Sequence, residues 1–134
     1  MASTGWEVTF KSRVQGPIES GKMARDAAAY SHDVAEALAN SAEDTWLNNL
    51  HGSIRHQTPY YTTRIEKHEL SPTRYRIDDN DVLYGPWLES GEYTPRTRFT
   101  GYFALERAEA EVQRKRGNIA RRILRRYRAS GRLI

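Results

Sequence analysis

The chain has 134 residues, enough for one hydrophobic core, but only 38% of them are hydrophobic and the mean hydropathy is −0.80. The absence of cysteine excludes disulfides and thiolate metal sites, and no apolar run reaches the roughly 18 residues of a membrane helix. The N-terminal residues lack the basic-then-apolar order of a signal peptide, so we expect a soluble protein made in a cytoplasm, with a thin core that favours burial against neighbouring copies.

Charge is divided unevenly along the chain. Residues 1–101 carry 11 Lys and Arg against 14 Asp and Glu, a balance of −3, whereas residues 102–134 carry 10 against 3, a balance of +7. Such a division predicts head-to-tail self-association, or contact between the basic end and an acidic partner.

The first predicted elements are a strand and a long helix. Trp6, Val8 and Phe10 alternate with polar residues, which predicts a strand with one buried face. Apolar residues then recur at spacings of three and four, which predicts one helix over residues 22–57. At 1.5 Å per residue this helix would span roughly 50 Å, more than a core of this size requires. We therefore expect part of it to lie on a neighbouring subunit.

A hairpin and a third short strand are predicted next. Residues 60–70 and 73–77 alternate between apolar and polar, with a turn at Ser71 and Pro72 between them, and residues 82–84 form a short apolar run. The acidic run at 78–81 lacks the ligand spacing, central glycine and closing glutamate of a calcium loop. We interpret it as a turn.

The stretch at residues 82–105 holds three of the eight Tyr and two of the three Phe. Gly85 and Pro86 predict a corner, because proline fixes φ and donates no hydrogen bond to a sheet. Residues 95–98 are basic and contain a proline, which is typical of a loop, and helical spacing resumes at Phe99. The stretch thus predicts a strand, a corner, an aromatic plug, a basic loop and a helix start.

This stretch resembles a known family. The residues that carry the resemblance, over roughly residues 54–112, are Tyr84-Gly85-Pro86-Trp87-Leu88-Glu89, Thr97-Arg98-Phe99 and Gly101-Tyr102. They are similar to the small neck and tail-completion proteins of long-tailed, non-contractile phages. The resemblance implies a ring, most often of six copies, between the head connector and the tail, with double-stranded DNA passing through its lumen without sequence recognition. It also implies a corner formed by Tyr84, Trp87, Leu88 and Glu89. The loop with Arg96, Arg98 and Phe99 is then expected to contact a neighbouring copy or the next ring.

The C-terminal part predicts a basic helix. Apolar residues at helical spacing continue from Leu105 to Tyr127, and nine Lys and Arg lie between Arg114 and Arg132 without one acidic residue. We divide the chain into a domain at residues 1–113 and an Arg-rich helical extension at 114–134. The extension could bind nucleic-acid phosphates, bind an acidic protein surface such as an adjacent copy or ring, or be a solvated face. Its candidate interface residues are Arg121, Arg122, Arg125 and Arg126.

The sequence offers little for catalysis. The four His are scattered, and no nucleophile elbow, phosphate loop or dinucleotide fingerprint is present. Glu89 among aromatics could act as a general acid, but pairing with an Arg such as Arg96 or Arg98 is the commoner outcome. We predict no enzyme, no cofactor and no metal.

The sequence therefore predicts an α+β fold with a long N-terminal helix and a C-terminal helix on a small, mainly antiparallel sheet. The predicted function is that of a virion protein of the phage neck. Two alternatives remain: a tail terminator that caps the tail tube, and a free nucleic-acid-binding protein that uses the basic helix.

Overall fold

The computed structural model describes residues 4–11, 21–53, 59–80, 82, 85–90 and 103–133. These residues form an α+β fold, as the sequence predicts. The elements in chain order are β1 (Gly5–Thr9), α1 (Gly21–Ser53), α2 (Pro59–Arg64), β2 (Glu66–Ser71), β3 (Arg74–Asp78), α3 (Gly85–Ser90) and α4 (Ala104–Ala129).

The sheet is antiparallel with β3 in the centre, in the order β1-β3-β2. Trp6 lies opposite Ile77, and Val8 lies opposite Tyr75. Because side chains alternate across a strand, this register places the apolar residues of both strands on one face. The other face carries charged residues, among them Glu7 and Arg74, which form a salt bridge of 2.7 Å.

Helix α1 supplies the largest share of the core. The apolar stripe predicted from the sequence is buried over its length, from Ala27 and Tyr30 to Trp46 and Leu50. The helix ends at Ser53 rather than near residue 57, and residues 54–58 lie outside the described part of the chain. The apolar stripe of α1 is covered by α4 and by the sheet of the same chain. The length of α1 therefore no longer argues that part of it lies on a neighbouring subunit.

Two strand predictions were wrong in part. The segment predicted as a strand over residues 60–70 begins as helix α2, and only Glu66–Ser71 is extended. Tyr61 and Ile65 are both buried, and their spacing of four fits a helical turn as well as an alternating strand. Val82, predicted to open a further strand, is buried but lies in no strand, and Leu83 and Tyr84 lie outside the described residues.

Helix α4 packs antiparallel along α1. Tyr30 of α1 donates a hydrogen bond from its hydroxyl to the carbonyl of Ala120 (3.0 Å), and Asn49 donates to the carbonyl of Ala104 (3.0 Å). The helix is continuous across residue 114. Its buried residues are Ala104, Ala108, Val112, Ile119, Ile123 and Tyr127.

The end of α4 is a Schellman motif. Gly131 has φ 84°, and its N–H donates to the carbonyl of Arg128 (3.0 Å) while the N–H of Arg132 donates to that of Tyr127 (2.8 Å). A left-handed residue is needed at this position, which glycine adopts without a Cβ penalty. The basic segment is thus ordered as helix through Ala129 within one chain, although its arginines repel one another.

Gly85 allows the start of α3 to approach a buried carboxylate. A Cβ at this position would lie 2.0 Å from Oδ2 of Asp79 and 3.0 Å from the hydroxyl of Thr4. We expect Gly85→Ala to lower the free energy of unfolding by about 1–3 kcal/mol, because these buried groups must move apart. Gly52→Ala is the control: a Cβ there meets nothing within 4 Å, so a gain of up to about 1 kcal/mol is expected. Urea denaturation measures both, and equal stabilities of the two variants would contradict the packing.

Candidate interaction surface

The outward face of α4 carries a row of arginines that we call the basic stripe: Arg114, Arg121, Arg125 and Arg128. At 100° per residue these four lie on the side opposite Ile119 and Ile123, which are buried. All four are exposed, and none has a carboxylate within 4 Å among the residues that the structure describes. Arg121 donates to the side-chain oxygen of Asn118. The stripe therefore presents four guanidinium groups without a salt bridge among the described residues, although the Lys115 ammonium and, to a smaller extent, Arg114 lower the pKa of the Glu111 carboxyl.

Two other arginines of the basic segment are used by the fold itself. Arg116 donates to the carbonyl of Thr9 (2.6 Å) and lies over the ring of Phe10 (5.3 Å). Arg132 pairs with Asp26 (3.5 Å) and stacks on Tyr127 (4.2 Å). These contacts fasten α4 to β1 and to the start of α1. Composition alone could not distinguish these structural arginines from the arginines of the basic stripe.

Arg122 and Arg126, also predicted as interface residues, are exposed on the flank of α4 that faces α1. Arg126 borders a groove of about 400 Å³ between the two helices. Ile123 and Ala37 contribute its apolar part, and Asp33 and Glu36 line the α1 side. The structure thus divides the four predicted arginines between two surfaces: Arg121 and Arg125 on the stripe, and Arg122 and Arg126 on the flank beside α1.

Tyr127 closes the end of this groove. Its hydroxyl donates to Oδ2 of Asp33, and burial together with this carboxylate raises the pKa of Tyr127 to about 12. The phenol therefore stays protonated at neutral pH and remains a hydrogen-bond donor. Asp33 is accordingly part of the α1–α4 contact, although the residue is exposed to solvent.

The outward surface of α1 is acidic. Residues 26–53 contain five carboxylates and no Lys or Arg. Asp26 is buried against Arg132, while the other four lie towards solvent and form what we call the acidic face: Asp33, Glu36, Glu43 and Asp44. The two long helices of one chain therefore present opposite charge.

The predicted corner proves to be a joint between α3 and α4. Leu88 is half-buried against the core, and Glu89 is half-buried beside it. The backbone of Trp87 lies in α3, but its side chain is outside the described part of the chain, as are residues Tyr84, Arg96, Arg98 and Phe99. Their predicted contacts therefore stay predictions.

Glu89 caps the N-terminus of α4. Its Oε1 accepts the N–H of Leu105 (2.8 Å) and its Oε2 accepts the N–H of Glu106 (3.0 Å). Its carbonyl accepts the N–H of Phe103 (2.9 Å), which has φ 50° and offers no side-chain cap. A carboxylate at a helix N-terminus satisfies free amide donors and complements the helix dipole. Glu89 thus does for α4 what an N-cap residue does, whereas the sequence favoured a partner such as Arg96 or Arg98.

Asp79 is a buried carboxylate at the centre of the fold, although only a turn was predicted at this position. Its side chain is 0% exposed, and Oδ2 accepts the hydroxyl of Tyr61 (3.0 Å). Burial raises the pKa of Asp79, against hydrogen bonds from Tyr61 and from the backbone of Thr4 and Val82. Asp79 therefore ties together the start of β1, helix α2 and the entry to α3.

The raised pKa of Asp79 predicts a dependence of stability on pH. A carboxyl with a raised folded pKa adds stability that is fully present below the unfolded pKa of about 3.9 and lost as pH rises through the folded value. The free energy of unfolding of the native protein, minus that of Asp79→Asn, should therefore fall as the pH rises above about 4. Urea denaturation at several pH values measures it, and a difference that stays constant or grows would be the opposite result.

Among the described residues, no group of three or more His, Cys, Asp or Glu is placed to hold a metal ion. No helix in this part of the chain is long and apolar enough to cross a membrane. Comparison of the chain with protein-family models, curated protein sequences and solved structures finds no match. What the protein does must therefore be argued from its own surfaces.

Proposed function

We propose that this protein is a structural subunit of a phage neck, a tail-completion protein that joins head to tail. Copies form a ring, with six as the expected number, and double-stranded DNA passes through the lumen without sequence recognition. Its other partners are the adjoining head-connector and tail proteins. It is made in the cytoplasm of a bacterial host and resides in the virion, where it presents complementary surfaces rather than catalysing a reaction.

The observation that carries this proposal is the basic stripe. Arg114, Arg121, Arg125 and Arg128 are exposed on a helix whose opposite side is fully used by the core, and no described carboxylate pairs with them. Repulsion among unpaired charges on one helix face destabilises the isolated chain, and an acidic partner surface relieves it. Arginine also suits bidentate contacts to carboxylates better than lysine does. The stripe is therefore the surface on which we expect assembly to depend.

The joint at Glu89 supports the same proposal. The Leu88-Glu89 pair is part of the pattern that resembles the phage neck family, and it fixes the N-terminus of α4 through both carboxylate oxygens. A joint of this kind gives the following helix a defined direction. In a ring subunit, that direction determines where the basic stripe meets its neighbour.

The proposal is tested by reversing charge on the predicted interface. The variant carries Arg121→Glu, Arg122→Glu, Arg125→Glu and Arg126→Glu, all at exposed positions, so the monomer should fold with an unchanged circular dichroism spectrum. We expect it to lose ring formation and the ability to join heads to tails. The control is Lys22→Glu with Arg25→Glu, two exposed residues at the start of α1, which should leave assembly intact. Normal rings of the reversed variant in negative-stain images would refute the role of this surface.

A second candidate is a free nucleic-acid-binding protein. It is favoured by the eight Lys and Arg between Arg114 and Arg128, a segment that contains no acid. Phosphate contacts of this kind weaken steeply with salt. A salt-dependent gel shift by purified monomer would support this candidate, whereas a stable oligomer without affinity for DNA would exclude it.

A further inference from the structure

The two long helices carry surfaces of opposite charge. On α4, Arg114, Arg121 and Arg125 are separated by seven and then four residues. On α1, Asp33 and Asp44 are exposed and lie eleven residues apart, the same separation as Arg114 and Arg125, and Glu36 and Glu43 lie between them. At 1.5 Å per residue the stripe spans roughly 20 Å and the acidic face roughly 16 Å. The two surfaces are therefore similar in length and opposite in sign.

These two surfaces cannot meet within one chain. The stripe lies on the side of α4 away from Ile119 and Ile123, and these two residues pack toward α1. Within the described residues, the only salt bridge between α1 and the C-terminal segment joins Asp26 to Arg132, beyond the end of the stripe. Within the acidic face, Asp33 accepts the hydroxyl of Tyr127, and Glu36 lies 3.4 Å from His32. Asp44 is exposed, and neither it nor Glu43 has a described cation within 4 Å, so these two carboxylates are the ones available to a partner.

We propose that the basic stripe of one copy docks on the acidic face of α1 of the next copy. This inference rests on the proposed function and names the partner of the surface described above. Because the two surfaces are different parts of the subunit, the contact is heterologous, and a heterologous contact with the right rotation closes into a ring. The partner is a second copy of this chain, and the recognition chemistry is guanidinium to carboxylate.

Charge also favours a second copy over nucleic acid as the occupant. The acidic face lies on the helix packed directly beside α4, and Asp33 and Glu36 line the groove that Arg126 borders. A long polyanion that extended from the stripe onto this flank of α4 would approach these carboxylates and be repelled, whereas a second copy needs to contact only the stripe. A second copy brings carboxylates to the stripe and leaves its own arginines for the following copy.

The test is charge reversal on each side, followed by exchange. We expect Arg121→Glu with Arg125→Glu to weaken self-association at least about tenfold, and Glu43→Lys with Asp44→Lys to do the same, as measured by sedimentation at 0.1 M salt. A chain that carries all four changes should regain association to within about threefold of the native chain, because the pairs are restored with their signs exchanged. Glu66→Lys with Glu109→Lys, exposed acids outside both surfaces, should leave association unchanged.

The outcomes separate this inference from the proposed function. If the native chain forms rings and both reversed variants associate as it does, the docking is wrong while the neck function stands. If the four-change chain associates no better than the two-change chains, the direct pairing is overturned. If Arg121→Glu with Arg125→Glu keeps association but loses binding to a DNA duplex, the stripe belongs to nucleic acid and the docking is again overturned. A native chain that stays monomeric and joins no tails would overturn both.

Discussion

Replacing Trp46 with alanine is expected to lower the free energy of unfolding by about 3–5 kcal/mol. Trp46 is the largest fully buried side chain in the described residues, 1% exposed, and its ring lies 6.1 Å from that of Trp6 across the α1–β1 contact. Truncation removes the buried ring and leaves a cavity that the sheet and the helix cannot close together. Because domains of this size have free energies of unfolding of about 5–15 kcal/mol, this one change removes a large share of the stability. Thermal or urea denaturation measures it.

The neighbouring residue Asn48 provides the control for Trp46. It is exposed on the same helix, so Asn48→Ala should change stability by less than about 0.5 kcal/mol. A double-mutant cycle of Trp6→Ala, Trp46→Ala and the two changes together isolates the contact between the two rings. We expect a coupling free energy of about 0.5–1.5 kcal/mol for this contact. A Trp46→Ala protein as stable as the native one would contradict the packing of α1 on β1.

The second large effect is expected at Glu89. We predict that Glu89→Ala lowers the free energy of unfolding by about 1–3 kcal/mol, because two amide groups at the start of α4 lose a charged acceptor. Glu89→Gln keeps one carbonyl oxygen but loses the charge, so it should lie between the native chain and Glu89→Ala. The backbone amides of Leu105 and Glu106 should exchange faster with solvent in both variants, which hydrogen exchange with residue-level resolution measures.

Glu106→Ala serves as the control for the cap. This side chain is exposed and only its backbone N–H takes part in the cap, so stability should change by less than about 1 kcal/mol. Unchanged amide protection in Glu89→Ala would show that α4 does not depend on Glu89 for its first turn. Loss of protection without loss of head-to-tail joining would confine the role of Glu89 to the fold of the subunit.

The sequence predicted the large elements well because their periodicity is long. The stripes from Ala27 to Leu50 and from Leu105 to Tyr127 each repeat over several turns, and both are buried as predicted except that Leu105 is only partly buried. The alternation at Trp6 and Val8 likewise marked the inner face of β1. Patterns of this length leave little room for another secondary structure.

Short segments and the partners of single charges were not predictable in this way. Tyr61, Thr63 and Ile65 alternate as in a strand, but the spacing of Tyr61 and Ile65 also fits one helical turn. Tertiary packing, rather than the local pattern, decides in favour of the helix. Glu89 and Asp79 bind groups that lie 16–18 residues away in the chain, which no local pattern indicates. The division of the C-terminal arginines into free and structural ones likewise depends on where β1 and Asp26 lie in space.

Helix α4 is held against rotation about its long axis, since it is fastened at both ends. Glu89 fixes the first turn through two amides, and Arg132 and Tyr127 fix the last turn to Asp26 and Asp33 of α1. The direction in which the arginines of α4 point is therefore fixed before a partner binds, and little orientational entropy should be lost on binding. Loosening either end would slow productive collisions even if every arginine remained in place.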